Sequence, residues 1–248
     1  TYYIGFNSKK PPFDNPKVRL AFSEAIDRQS LVDNVTKGGQ IPAQWMARPG
    51  LPGAPDPKTS PDLGVKYDPA DAKKLLADAG FSDPSKLGPI TYMYNTNEGH
   101  KKIAEAFQQM WQKNLGVTVN VVSQEWKVFL KTRQTDSPQI FREGWCIDYP
   151  DADTFHRELF DSKVGQAHPE ILWTNPQYDQ LVEQAARETD PQKRVQLYSQ
   201  AENILVKQDA AVAPVYWYTT VWLTKPYVKR TFGVLGYETF EKWEIQPH

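Results

Sequence analysis

Three stretches of this 248-residue chain predict an α/β fold. Ile90-Thr91-Tyr92-Met93-Tyr94 is rich in β-formers, and Gly99 to Leu115 carries Ile103, Ala104, Phe107, Met110 and Trp111 at helical spacing. After Gly116, Val117-Thr118-Val119-Asn120-Val121-Val122 alternates as a strand does. A strand, a helix and a strand on short links imply two parallel strands joined by a right-handed crossover.

The other elements follow in order. Tyr2-Tyr3-Ile4-Gly5-Phe6-Asn7 reads as an opening strand, and Lys9-Lys10-Pro11-Pro12-Phe13-Asp14 as a turn-rich connector. Asn15-Pro16 supplies an N-cap and a proline at the first helical position, where its missing N–H costs nothing. Val18, Ala21, Phe22, Ala25 and Ile26 then fall on one helical face, and a short helix over Ser30 to Thr36 stops at Gly38-Gly39. Residues 40–66 hold Pro42, Pro49, Pro52, Pro55, Pro57 and Pro61 with little periodicity. Ile41-Pro42-Ala43-Gln44-Trp45-Met46 is too apolar for a disordered linker, so this segment reads as an ordered excursion. Asp68-Pro69 opens a helix that Gly80 closes. Trp126 to Gln134 reads as helix, Ile140 to Cys146 as strand and Asp153 to Phe160 as helix. Asn175-Pro176 and Asp190-Pro191 repeat the capping signature, the second ahead of a stripe of Val195, Leu197, Tyr198, Ala201, Ile204, Leu205 and Val206. Ala211 to Leu223 reads as one long aromatic strand containing Tyr216-Trp217-Tyr218, and the last stretch is irregular.

Composition narrows the class. Lys and Arg number 29 against 30 Asp and Glu, without a basic run, which argues against a nucleic-acid surface. No apolar stretch approaches the roughly 18 residues that suggest a membrane span. The eight Trp and 20 Pro are both high, pointing to flat apolar surfaces and long fixed crossings. The chain begins at Thr1, inside what reads as a strand, which is expected of a processed or excised piece.

Enzyme motifs are absent: there is no phosphate-cradling glycine loop, no G-x-S-x-G elbow and no H-E-x-x-H. Cys146, the single cysteine, sits in a strand pattern with no base near it in sequence, which reads as a buried, inert thiol. Asp148, Asp151 and Asp153 fail the calcium-loop template, and Asp151 or Asp153 reads as a cap for the following helix. Asp148 differs, because it follows the strand directly, and the carboxyl lip of an open α/β sheet is where ligands bind. His100, His156 and His168 are too far apart to form a metal set. By residue type His100 is an exposed first-turn side chain, although a helix N-terminus also welcomes anions. Arg142, beside Glu143, reads as half of an ion pair. On these residues alone, a small-ligand-binding lobe leads, and a carbohydrate-active enzyme using Glu143 and Asp148 is second.

Several segments together resemble the C-terminal half of bacterial extracellular solute-binding proteins of family 5. They are the opening Tyr2-to-Asn7 run, Lys9-Lys10-Pro11-Pro12-Phe13, Asn15-Pro16-Lys17-Val18-Arg19 and Asn95-Thr96 with His100-Lys101-Lys102. Trp111-Gln112-Lys113-Asn114-Leu115-Gly116-Val117, Gln124-Glu125-Trp126-Lys127 and, above all, Gly144-Trp145-Cys146-Ile147-Asp148-Tyr149 complete the set. Within the family, the resemblance is strongest to oligopeptide-binding members, and murein-tripeptide binders are similar.

The resemblance implies the C-terminal lobe of a type II periplasmic-binding-protein fold, a mixed sheet flanked by helices. Residues 1–215 would form the distal, peptide-binding lobe. Residues 216–248 would return to a first lobe that this sequence does not contain. It implies a monomeric, periplasmic, non-enzymatic protein without cofactor or metal, working with short peptides and an inner-membrane ABC permease. Gly144 and Cys146 match positions whose main chain pairs with peptide, Asp148 the partner of the α-ammonium, and Arg142 and His100 residues meeting the C-terminal carboxylate. Trp126 and Trp145 match pocket walls, and Tyr3 a pocket-side tyrosine. The resemblance also pairs Cys146 with a cysteine upstream of Thr1, leaving a free thiol in this chain. The 40–66 segment departs from the family pattern, so Lys37, Lys58 and Lys66 are candidates only for a carboxylate-binding lysine. Other ligands of the family, namely dipeptide, murein tripeptide, nickel chelate and haem, stay open.

Overall fold

The computed structural model describes residues 1–164, 169–233 and 240–248. Strand β1 (Tyr2–Phe6) is buried along its whole length. Helix α1 (Pro16–Glu24) begins where the Asn15 side chain accepts the Lys17 N–H. Helix α2 (Arg28–Ser30) runs straight into a π-helical turn over Leu31–Thr36. That turn ends on Lys37 in the left-handed region, one residue ahead of the glycine pair expected to stop it. The 40–66 excursion is ordered, as its apolar content implied: it carries the short β2 (Ile41–Pro42) and buries Ala43, Trp45, Met46 and Ala47.

Helix α3 (Pro69–Asp78) is capped by Asp68. The unit of β3 (Ile90–Asn95), α4 (Glu98–Leu115) and β4 (Val119–Gln124) forms with its two strands parallel, β4 starting later than its pattern suggested. Then come α5 (Trp126–Asp136), β5 (Ile140–Gly144), α6 (Asp153–Phe160), α7 (Pro176–Arg187) and α8 (Pro191–Asn203). Strand β6 (Val212–Trp217) and a small hairpin of β7 (Val228–Lys229) and β8 (Glu244–Ile245) close the chain. His168, weighed as a metal ligand, lies outside the described residues.

The main sheet has six strands in the order β2-β6-β1-β5-β3-β4. Strand β1 runs antiparallel to both β5 and β6, while β3 runs parallel to β4 and β5. The carboxyl ends of β6, β5, β3 and β4 therefore all reach the edge at which β1 begins. Side-chain alternation splits the interior in two. Tyr2, Ile4 and Phe6 join Phe22, Phe107 and Trp111 of α1 and α4 on one face. Tyr3 and Phe141 join Phe155, Tyr178 and Tyr198 of α6, α7 and α8 on the other. The sheet is mixed and has helices on both faces.

Strand β6 is much shorter than the Ala211–Leu223 pattern. Its last cross-strand partners are Tyr2 for Tyr216 and Ile41 for Trp217, and beyond them no strand among the described residues pairs with it. Val221, Trp222 and Leu223 stand 71%, 52% and 101% exposed. Strand β5 likewise ends at Gly144, short of Cys146. Cys146 is exposed, not buried, because the chain has already left the sheet. The residue entering α6 is Ala152 without a side-chain cap, and Asp151 instead accepts the Asp153 N–H at 2.8 Å.

Candidate functional site

The carboxyl edge of the sheet gathers the unusual chemistry. Arg142, in the middle of β5, points to the Tyr2 face. Its guanidinium carbon lies 5.1 Å from the centre of the Tyr2 ring, and one of its terminal nitrogens donates to the Tyr218 hydroxyl at 3.1 Å. The adjacent Glu143 does not supply the ion pair expected of Arg142, because it points to the opposite face and pairs with the buried Arg133. Among the described residues no carboxylate pairs with Arg142, and its Nε is buried without a hydrogen-bond partner. A half-buried cation without a counter-ion is costly unless a ligand supplies the charge.

Aromatic rings surround this cation. Tyr2 stacks on Tyr216 at 4.9 Å, Tyr216 meets Tyr218 edge-on at 5.4 Å, and the Tyr2 and Tyr92 hydroxyls are 3.5 Å apart. His100, held in the first turn of α4 by the Asn97 cap, lies 5.6 Å from Tyr2, centre to centre. It is half-buried, not exposed, and burial together with the Arg142 charge lowers its pKa to about 4. The imidazole is thus neutral near pH 7 and can donate a hydrogen bond without adding charge. Burial raises the Tyr218 pKa, so its phenol stays protonated and retains a hydrogen to donate outward.

Gly144 makes this arrangement possible. A Cβ there would sit 2.8 Å from the Tyr218 hydroxyl and 2.9 Å from the Arg142 guanidinium. Its main chain matters as well. Thr1 and Trp145 exchange main-chain hydrogen bonds of 2.6 and 2.9 Å, which fixes the alternation along β5. By that alternation the N–H and C=O groups of Arg142 and Gly144 face the β3 side. Strand β3 pairs with β5 at Ile140 and Phe141, and beyond Phe141 that side of β5 has no strand partner among the described residues. An unpaired strand edge is a template for an extended chain.

Trp145, Cys146 and Ile147 continue past the strand and line a cleft of about 660 Å³ with Arg48, Leu51 and Tyr218. The Trp145 indole donates to Thr154 Oγ1 at 3.1 Å, and the Asp148 N–H donates to the same oxygen at 3.4 Å. Asp148 itself stands exposed on this loop. Trp126 opens α5 just past the end of β4, 48% exposed and stacked on Phe129.

The structure thus unites Arg142, His100 and Gly144, and places Trp145 and Cys146 in the adjoining cleft wall. Asp148 stands on the same loop, and Trp126 on the same edge. Tyr3 departs from the expectation: alternation turns it inward, and it is 0% exposed in the core beside Phe160, so its ring cannot wall a cleft. Of the candidate lysines, Lys66 pairs with Asp62 at 3.0 Å, Lys58 is exposed, and Lys37 faces a separate hollow beside Lys102. Tyr2, Tyr216, Tyr218 and Thr154 join the site without a motif that marks them in the sequence. The i, i+2 spacing of Tyr216 and Tyr218 is the one signal that puts two of them on one face.

Comparison with known proteins speaks to the family and the fold. Residues 1–167 match the model of bacterial extracellular solute-binding proteins, family 5. The chain is 39% identical over 224 residues to the oligopeptide-binding protein OppA of Bacillus subtilis, covering 90% of this chain and 41% of that protein. It is 38% identical over 232 residues to the periplasmic OppA of Escherichia coli, covering 92% and 41%. The solved Escherichia coli murein tripeptide binding protein MppA superposes with a TM-score of 0.81 at 37% identity, over 92% of this chain and 44% of that one. The chain therefore spans about two fifths of the length of these relatives. Its neighbours share the type II periplasmic-binding-protein architecture, to which the mixed sheet with helices on both faces conforms. The chain belongs to the family 5 bacterial extracellular solute-binding proteins.

Proposed function

We propose that this chain is the distal lobe of the substrate-binding component of an oligopeptide ABC importer, capturing short peptides in the periplasm. The observation that carries this reading is the half-buried Arg142, without a carboxylate partner among the described residues and collared by tyrosines, beside a stretch of strand edge left open by β3. An extended peptide laid along β5 would share main-chain hydrogen bonds with Gly144 and Cys146, which are indifferent to its sequence. Arg142, neutral His100 and the Tyr218 hydroxyl would receive its carboxylate. Asp148 would take its α-ammonium, and Trp145 and Trp126 would pack against varied side chains with water filling the remaining space. Binding is the whole of the activity. The family relationship and the lack of catalytic motifs in the sequence support a protein that does not transform its ligand.

In the complete protein a first lobe would close over this edge and shield the charges from water, as hinge-bending binders do. The exposed Val221–Leu223 stretch supports a return of residues 216–248 to that lobe, although Tyr216 and Trp217 still belong to β6. A monomer delivering peptide to an inner-membrane permease completes the reading.

Calorimetry on the complete natural protein tests it. Asp148→Ala is expected to weaken a free-amine peptide by about tenfold or more and to leave its N-acetylated form nearly unchanged. Equal affinity of wild type and variant for the free amine removes Asp148 from the site. Mass spectrometry of the ligand retained on purification separates oligopeptides from murein tripeptide.

A further inference from the structure

Both walls of the cleft lead back to one helix. Arg194, Tyr198 and Glu202 recur at i, i+4 spacing on α8 and so form a single stripe. Arg194 binds Asp151 through both terminal nitrogens, at 2.7 and 2.8 Å. Tyr198 donates to one oxygen of Asp153 at 2.8 Å, and Tyr149 donates to the other at 2.7 Å. Tyr149 is thus tied to the helix through Asp153. Asp148 lies between that anchor and Trp145, whose indole is tied to Thr154.

The opposite wall is held by the third member. Glu202 is fully buried and accepts the main-chain N–H groups of Met46 and Ala47 at 3.0 and 2.8 Å. Those residues lead directly into Arg48–Leu51 of the cleft lining. The walls also touch each other, since the Ala152 N–H donates to the Pro52 carbonyl at 2.9 Å. Gly53 lies against the stripe so closely that a Cβ would come 3.0 Å from the Arg194 guanidinium and the Tyr198 ring.

We infer that the Arg194–Tyr198–Glu202 stripe of α8 is the positioning element of the ligand cleft, setting the Asp148 loop against the 46–54 wall. A carboxylate on an exposed loop contributes full binding strength only if it is held in place before the ligand arrives. The stripe does this without touching ligand, through a bidentate ion pair and a buried carboxyl that accepts main-chain N–H groups. The inference rests on the reading of Asp148 as the ammonium partner, and the test separates the two.

In the complete natural protein, Arg194→Met, Asp148→Asn and the double variant are titrated with trialanine and N-acetyl trialanine. Arg194→Met is expected to weaken trialanine about tenfold, to leave the weaker N-acetyl trialanine within about twofold, and to add nothing in the Asp148→Asn background. Equal losses on both ligands, or full additivity with Asp148→Asn, overturn the inference. Hydrogen exchange of the ligand-free protein gives a reading independent of Asp148. The Ala152 and Asp153 N–H groups are expected to exchange about tenfold faster or more in Arg194→Met, while β1 and β5 keep their protection. Unchanged exchange there refutes the positioning role whatever the ligand data show. Faster exchange with an inert Asp148→Asn keeps the role of α8 and discards the ammonium reading. Should Arg194→Met fail to fold, Asp151→Asn removes the same ion pair and is expected to reproduce each result.

Discussion

The carboxyl group of Glu202 makes the stability of this fold depend on pH. It is wholly enclosed, and burial raises its pKa from 4.5 to about 7, against the opposing pull of the Met46 and Ala47 N–H groups. The groups facing it come from three helices. His156 of α6 lies 3.3 Å from it, Tyr178 of α7 contacts the other imidazole nitrogen at 3.2 Å, and Tyr198 of α8 stacks on the imidazole at 4.9 Å. Burial holds the His156 pKa down to about 3. Between these two values the imidazole is therefore neutral, and the titrating proton sits on the carboxyl.

Because the folded protein holds this proton more tightly than the unfolded chain, stability falls as pH rises from about 4.5 to about 7. A carboxyl held near 7 corresponds to about 3 kcal/mol against its charged form. His156 works in the other direction and in a lower window. The unfolded imidazole gains a proton near 6.5 and the folded one only near 3, so stability falls as pH drops below about 6.5. Glu202→Gln abolishes the first slope and leaves the second. Urea unfolding of wild type and variant at about pH 5 and pH 9 reads the difference directly. Wild type is expected to lose about 3 kcal/mol relative to the variant on going from the lower to the higher pH, with unchanged m-values. Glu24, also raised to about 7 by burial, titrates in both proteins and cancels. A difference that is flat across this range, or that grows with the opposite sign, refutes the buried-proton argument.

Gly144→Ala is expected to keep the fold, because its Cβ would meet the ends of the Arg142 and Tyr218 side chains and not main chain. Displacing them should weaken carboxylate-bearing peptides about tenfold relative to their C-terminal amides, as calorimetry would show, a loss of about 1.4 kcal/mol. Arg133→Met leaves Glu143 and Glu170 buried without the guanidinium they share. It should cost about 3–5 kcal/mol in urea unfolding at about pH 7. Asn97→Ala removes the acceptor for the Gly99 and His100 N–H groups, at 2.8 and 3.2 Å. A loss of about 1 kcal/mol by the same measurement is expected.

What could be read from sequence follows the range of the physics involved. Asn15-Pro16, Asp68-Pro69, Asn175-Pro176 and Asp190-Pro191 all open helices with the Asn or Asp side chain bound to first-turn N–H groups. A cap is decided within one turn, so the signal is complete in the local sequence. The end of β6 is decided by where β1 and β2 stop, two distant segments, and the hydrophobic pattern runs on past it. The same holds for charge. Arg142 and Arg133 could each have paired with Glu143, and the choice depends on which face of β5 each residue occupies. Strand parity puts Glu143 opposite Arg142, so the nearest acid in sequence is not the nearest in space.

The α8 stripe shows why a supporting shell is harder to read than the residues it supports. Val195, Leu197, Tyr198, Ala201, Ile204, Leu205 and Val206 announce a core-facing helix, and the structure buries Tyr198, Ala201, Ile204, Leu205 and Val206. Arg194 and Glu202, four residues either side of Tyr198, share its face, but their charge alone would place them in solvent. Yet Glu202 is 0% exposed and Arg194 lies largely covered, because the 46–54 and 145–153 loops fold down over them. Neither loop has a periodicity of its own, so nothing local reveals that a polar stripe will be roofed. Buried polar groups must find partners, and here the partners are main-chain N–H groups and acids of the very loops that form the cleft. An engineered binder that kept Asp148, Arg142 and Gly144 but replaced this stripe with apolar residues would retain every proposed ligand contact and lose the geometry that aligns them.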